Sequence, residues 1–144
     1  MRRVSSGFTF AELACVLVAL ALLAALALPS FVDSLRRARR SEATAALQQL
    51  QLAEERWRTD HASYTPALPD LGLPALTGSG YYTIAITAAD EQGFTADASA
   101  AATQLADAPC RVIELVQAGG RVGYASLDAN GRPSTASPDP CWVS

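Results

Sequence analysis

"GFTFAELACVLVALALLAALALP" occupies residues 7–29, and its single carboxylate decides how the rest of the chain is read. From Leu13 to Leu28 no side chain is charged, yet Glu12 stands at the head of that apolar run. The run from Phe8 to Leu28 counts 21 residues, close to the ~20 that a bilayer-spanning helix requires. A secretory signal has a shorter apolar core and a small-residue cleavage site after it. Only the Ala-rich stretch at Leu23–Ala27 imitates such a site. A charge deep in a bilayer costs a few kcal/mol, so such residues are usually functional or paired. Glu12 lies four residues past Phe8, about 6 Å along a helix, where the cost is smaller. A cut between Gly7 and Phe8 would create an α-amine at the helix start. The carboxylate would then meet that amine, its own or a neighbour's, and a negative group also suits the positive end of a helix.

Beyond the apolar run the periodicity stays helical and becomes amphipathic. Ala43, Ala46, Leu47, Leu50, Ala53 and Trp57 recur at three- and four-residue spacing, with Arg, Glu and Gln between them. The reading is a single long helix from Phe8 to Thr59, apolar all round in its first half and one-sided in its second. Glu54 and Arg58 stand four apart in the favourable order for an ion pair. Pro29 sits near the join and lacks a backbone donor, which predicts a bend or a loosened turn there, a tolerated transmembrane proline being the alternative. After Asp60 the Pro- and Gly-rich "SYTPALPDLGLPALTGSG" reads as a connecting loop. Four strands follow, at Tyr81–Ala88, Phe94–Ala100, Arg111–Gln117 and Arg121–Leu127, with "DEQG" and "AGG" as turns. The fold class is therefore α+β: a long N-terminal helix packed on a four-stranded antiparallel sheet.

The 144 residues carry 11 Arg and no Lys, and a formal charge of −3. The charge is polarised: through Arg58 eight Arg face five acids, and beyond it three Arg face nine acids. An acidic outer domain argues against general nucleic-acid binding, which phosphate neutralisation drives. Arg36, Arg37, Arg39 and Arg40 follow the apolar run, suited to lipid head groups, to acidic faces of neighbouring subunits, or simply to water. Counting cations alone would put the C-terminal side in the cytoplasm. The cysteines argue for the opposite side. Cys110 and Cys141, in the polar half, read as a disulfide in a domain carried outside the cytoplasm, with a reduced buried pair as the alternative. Closing that loop is worth roughly 3–4 kcal/mol in the chain-entropy model. Cys15 reads as plain helix packing, and His61 as a surface or capping residue.

"GFTFAEL" resembles the class III leader and mature start of type IV pilins: Gly7 before the cut, Phe8 after it, Glu12 four positions on. The resemblance continues through the apolar helix to Pro29, through "DHASYTPALPDLGL" (Asp60–Leu73), and to the two late cysteines with Trp142 after the second. The middle segments are most like minor type IV pilins. The resemblance implies a leader at 1–7 removed by a prepilin peptidase, N-methylation of Phe8, and a filament-core helix at 8–29. An amphipathic half at 30–59 and a pilin-like globular region at 60–144 follow. It implies Glu12 as the subunit-docking carboxylate, pairing with the Phe8 amine of an adjacent subunit. The implied partners are the major pilin, other minor pilins, the inner-membrane assembly platform and a tip adhesin. The implied location is the bacterial inner membrane, single-pass with the C-terminal domain in the periplasm, and then the extracellular pilus. The implied function is pilus assembly supporting adhesion and twitching motility. The alternatives are a pseudopilin of a type II secretion system, against which the Cys110/Cys141 pair and the final "CW" argue, and a DNA-uptake (competence) pilin, which should carry a basic outer stripe.

No Ser/His/Asp, Cys/His or metal-spaced cluster and no Gly-rich phosphate loop occurs in the sequence. No catalytic residue, metal or cofactor is expected, and the chain does not read as an enzyme. "DANG" at Asp128–Gly131 faintly resembles a calcium loop and lacks the further ligands such a loop supplies.

Overall fold

The computed structural model describes residues 9–142, with the side chains of 27–29 excepted. One helix, α1, spans Phe10–Asp60, and four strands follow: β1 (Tyr82–Ala89), β2 (Gly93–Ala100), β3 (Val112–Ala118) and β4 (Arg121–Leu127). The strands form one antiparallel sheet in the order β1-β2-β3-β4. The expected α+β arrangement is present, with each strand boundary within a residue or so of the sequence reading. The leader residues 1–7 and the start of the mature chain at Phe8 lie outside the described residues. The chain divides into two compact units between Leu35 and Arg36, and each is built by its own rules.

In the first unit the described part of α1 carries an exposed apolar surface. An 18-residue window reaches a mean hydropathy of 2.6 with none of it buried, long and apolar enough to cross a membrane. Phe10, Leu13, Leu17, Leu20 and Leu26 are exposed. The helix continues through Pro29.

In the second unit the helix presents Ala43, Leu47 and Leu50, all fully buried, to one face of the sheet. The strands answer with Tyr82 and Ile84 from β1, Phe94, Ala96 and Ala98 from β2, and Ile113 and Leu115 from β3. The run of alanines on β2 is the small half of a size-matched layer against the larger leucines of α1. Gly93, opposite Ala118, is required by close approach: a Cβ there would lie 1.9 Å from the Gln117 carbonyl oxygen. Gly119 and Gly120 both adopt positive φ (54° and 76°) and close the β3–β4 hairpin, as a two-residue turn of that hand demands.

Two short 3₁₀ segments, Ala102–Ala106 and Ala108–Cys110, link β2 to β3, and the sequence reading did not anticipate them. Leu68–Leu71 forms another in the α1–β1 connection, with Leu68 buried.

Candidate functional site

The N-terminal end of α1 is built by a two-way cap. Thr9 precedes the helix and its carbonyl accepts the first helical bond, from Leu13 N–H at 3.1 Å. Glu12 N–H donates to Thr9 Oγ1 at 3.3 Å, while Glu12 Oε2 accepts from Thr9 N–H at 2.8 Å and from Thr9 Oγ1 at 3.0 Å. This is a capping box, in which a Thr at the cap and a Glu three residues later satisfy each other's backbone donors. The sequence reading gave Glu12 an amine at the helix start as its partner, its own or a neighbour's, and missed Thr9. The signal was present as "TFAE", hidden by the stronger question of a charge in an apolar run. The box leaves the carboxylate held at the head of an apolar surface. One face of that surface, lined by Ala14, Cys15, Val18, Ala19 and Leu22, is a shallow apolar groove. Gly7 and the Phe8 amine, the other expected members of this site, lie outside the described residues.

The Arg cluster divides by role. Arg39 lays its guanidinium 3.8 Å over the Tyr81 ring and donates to Tyr81 Oη and Thr103 Oγ1. Arg40 makes two 2.7 Å bonds to Asp107, from Nε to Oδ2 and from Nη2 to Oδ1, and a third from Nη1 to the Pro140 carbonyl. Arg39 thus holds α1 to Tyr81 just before β1 and to the 3₁₀ segment at Thr103, and Arg40 holds it to the segments beside the disulfide. The buried amide of Gln104 extends the same network, donating to Asp107 Oδ2 at 2.9 Å and to Tyr82 Oη at 3.1 Å. Burial foremost pushes the Tyr82 phenol up to about 12, so it stays protonated throughout the physiological range. Arg37 remains exposed.

At the other end of the sheet the expected Glu54–Arg58 pair is not made. Glu54 is fully buried and accepts from Thr65 N–H at 3.2 Å. Arg58 turns to two carbonyls, His61 O at 2.6 Å and Glu91 O at 3.2 Å. The spacing is right for an ion pair, but the residue at 54 falls on the sheet-facing stripe. His61 stacks on Trp57 with ring centroids 3.6 Å apart and places Nδ1 2.9 Å from the Trp57 carbonyl. It occupies the end of the helix, where an unpaired carbonyl needs a donor.

Cys110 and Cys141 are joined in a disulfide with Cα atoms 5.6 Å apart, both almost fully buried. The residues around it pin the tail: Ser126 Oγ donates to Asp139, and Trp142 Nε1 donates to Ala125 O at 2.9 Å. Asp128 Oδ1 accepts from the N–H groups of Asn130 and Arg132, at 2.8 and 2.9 Å, so its carboxylate shapes the "DANG" turn. These bonds, that from Arg132 foremost, hold the Asp128 carboxyl below the usual carboxylate range. Among the described residues no group of three or more His, Cys, Asp or Glu is placed to hold a metal ion.

The outer face of the sheet carries two carboxylates directly opposite each other, Asp97 on β2 and Glu114 on β3, flanked by Ala85 and Ala125. Burial, and then the Glu114 charge, raise the Asp97 carboxyl above its ordinary value. The pair places two acidic side chains side by side on that face.

No curated protein matches the chain. Residues 29–114, which take in the amphipathic part of α1, β1, β2 and the start of β3, match the family described as "Type IV minor pilin ComP, DNA uptake sequence receptor". Glu12, β4 and Cys141 fall outside that stretch. With more than half its length matched, and with the long helix and four-stranded sheet in place, the chain belongs to this family of type IV minor pilins.

Proposed function

We propose that this minor pilin enters a type IV pilus through the apolar part of α1 and serves DNA uptake there. The match over residues 29–114 to a family described by a DNA uptake sequence receptor carries this reading. It moves DNA uptake ahead of adhesion and twitching, and the pilus ahead of a type II secretion pseudopilin. The physical scheme is simple. Removal of the leader after Gly7 and N-methylation of Phe8 leave Thr9 and Glu12 at the start of α1. The apolar surface is satisfied first by the inner membrane, with the sheet domain in the periplasm, and then by the helices of the major and other minor pilins. Glu12, already oriented by Thr9, meets the Phe8 amine of a neighbour. A prepilin peptidase and the assembly platform act before that step.

A second reading, a structural minor pilin supporting adhesion and twitching with a tip adhesin, is favoured by one observation. The facing Asp97 and Glu114 carboxylates make the outer sheet a poor surface for DNA.

Transformation and piliation in a deletion strain separate the two. Loss of DNA uptake with pili and twitching intact supports the receptor reading, whereas loss of twitching or adhesion with normal uptake overturns it. Gel retardation of the full chain in detergent at several salt concentrations adds a direct check, because the salt slope counts phosphate contacts.

A further inference from the structure

Glu54 stands on the sheet-facing stripe of α1, one turn beyond Leu50, and its side chain is fully buried. Its Oε2 accepts from the Thr65 N–H, and its Oε1 is buried without a hydrogen-bond partner among the described residues. The groups that face it offer no compensating charge. On α1 its neighbour Glu55 is a like charge, and Arg58 is committed to the His61 and Glu91 carbonyls. In the overlying connection Thr65 turns its hydroxyl to Asp70, and the Tyr64 hydroxyl reaches Glu55 at 3.3 Å. On the sheet, Gln117, which interacts with Tyr64, is an uncharged amide.

A carboxyl removed from water without a cation favours its neutral form. The connection that Glu54 fastens, residues 61–81, sends Leu68 into the core. We infer that Glu54 is a protonation switch: it is held as the neutral acid while this connection is closed, and its ionisation loosens the connection at Thr65. Burial opposes the ionised form and the Thr65 N–H bond favours it; burial is the larger influence and sets the sign. The closed state takes up the proton, so closure is strongest in acid and weakens as pH rises through the Glu54 midpoint. The inference rests on the fold alone and stands apart from the filament and DNA readings.

The test is a pH titration of the full chain in detergent micelles by NMR, following the Glu54 side-chain carboxyl carbon and the hydrogen-exchange protection of the Thr65 amide. The Glu54 midpoint is expected above the ordinary glutamate value of about 4.3, with Thr65 protection falling at least tenfold across the same range. Glu54→Gln, which mimics the neutral acid, should keep Thr65 protected at every pH. Asp97→Asn should leave the step in place. A Glu54 carboxyl that titrates at or below the ordinary value overturns the inference, as does a Thr65 step that persists in Glu54→Gln. If that variant does not fold, the wild-type carboxyl titration still decides.

Discussion

Arg40 grips Asp107 through two parallel 2.7 Å hydrogen bonds, across 67 residues of sequence and with the Asp107 side chain only 2% exposed. Paired geometry of this kind is what a planar guanidinium offers and an ammonium does not. The pair sits beside the disulfide, and Arg40 also reaches the Pro140 carbonyl next to Cys141. One side chain thus ties α1 to both sides of the covalent link.

Breaking that pair from one side leaves a buried charge unanswered. Arg40→Ala should destabilise the sheet domain by about 3–5 kcal/mol. Arg40→Lys should recover only part of the loss, since it cannot reproduce both bonds. Urea denaturation of the three proteins compares them directly. Equal stability of the Arg and Ala forms would contradict this account.

The disulfide should contribute on a similar scale. Cys141→Ser is expected to cost about 2–5 kcal/mol and to free Trp142 from Ala125. Thermal melts under oxidising and reducing conditions should bring the wild type down to the variant, while leaving the variant unmoved.

The capping box makes a prediction that separates capping from docking. Thr9→Ala removes the hydroxyl and should cost the helix start about 0.5–2 kcal/mol, with Glu12 still present. Glu12→Ala removes the cap and the proposed docking charge together. Both variants should insert in the membrane and lose the leader. Filament incorporation, read from sheared pili, should fall moderately for Thr9→Ala and far more for Glu12→Ala. Equal incorporation of the two would reduce Glu12 to a helix cap.

Asp97 sets a pH dependence whose sign can be worked out. Its carboxyl is raised in the folded chain, so the folded state holds the proton more tightly than the unfolded one. Its contribution is fully present below the unfolded value, about 3.9, and is lost as pH rises through the folded midpoint. Asp97→Asn removes the repulsion from Glu114. It should stabilise the domain at neutral pH by about 0.2–1 kcal/mol, with little effect in acid. Denaturation midpoints at several pH values would show a constant difference if the pair were inert.

The long helix and the four strands were readable because their periodicities are long and strong. "FTADASA" alternates cleanly, and the alternation places Phe94, Ala96 and Ala98 inside and Asp97 outside. The polar interior was not readable. Gln104 and Asp107 lie in a segment with no strand or α-helix periodicity; Asp107 is claimed by Arg40 from 67 residues away, and Gln104 by Tyr82 and Asp107. Glu54 misled for the opposite reason: a local spacing rule named Arg58, while the burial stripe of α1 claimed the side chain. At the N-terminus the cap was legible in four letters, and the partner expected of Glu12 lies beyond the described chain.

The tail from Asp128 to Cys141 is fastened at both ends: by the Asp128 turn and the Leu127–Pro133 bridge at its start, and by Asp139, the disulfide and Trp142 at its finish. Its middle, residues 135–138, is exposed and contributes nothing to the core. A stretch so framed behaves as an exchangeable insert. New residues there are expected to alter what the domain displays while the sheet keeps its register, which makes 135–138 the natural position for an epitope tag.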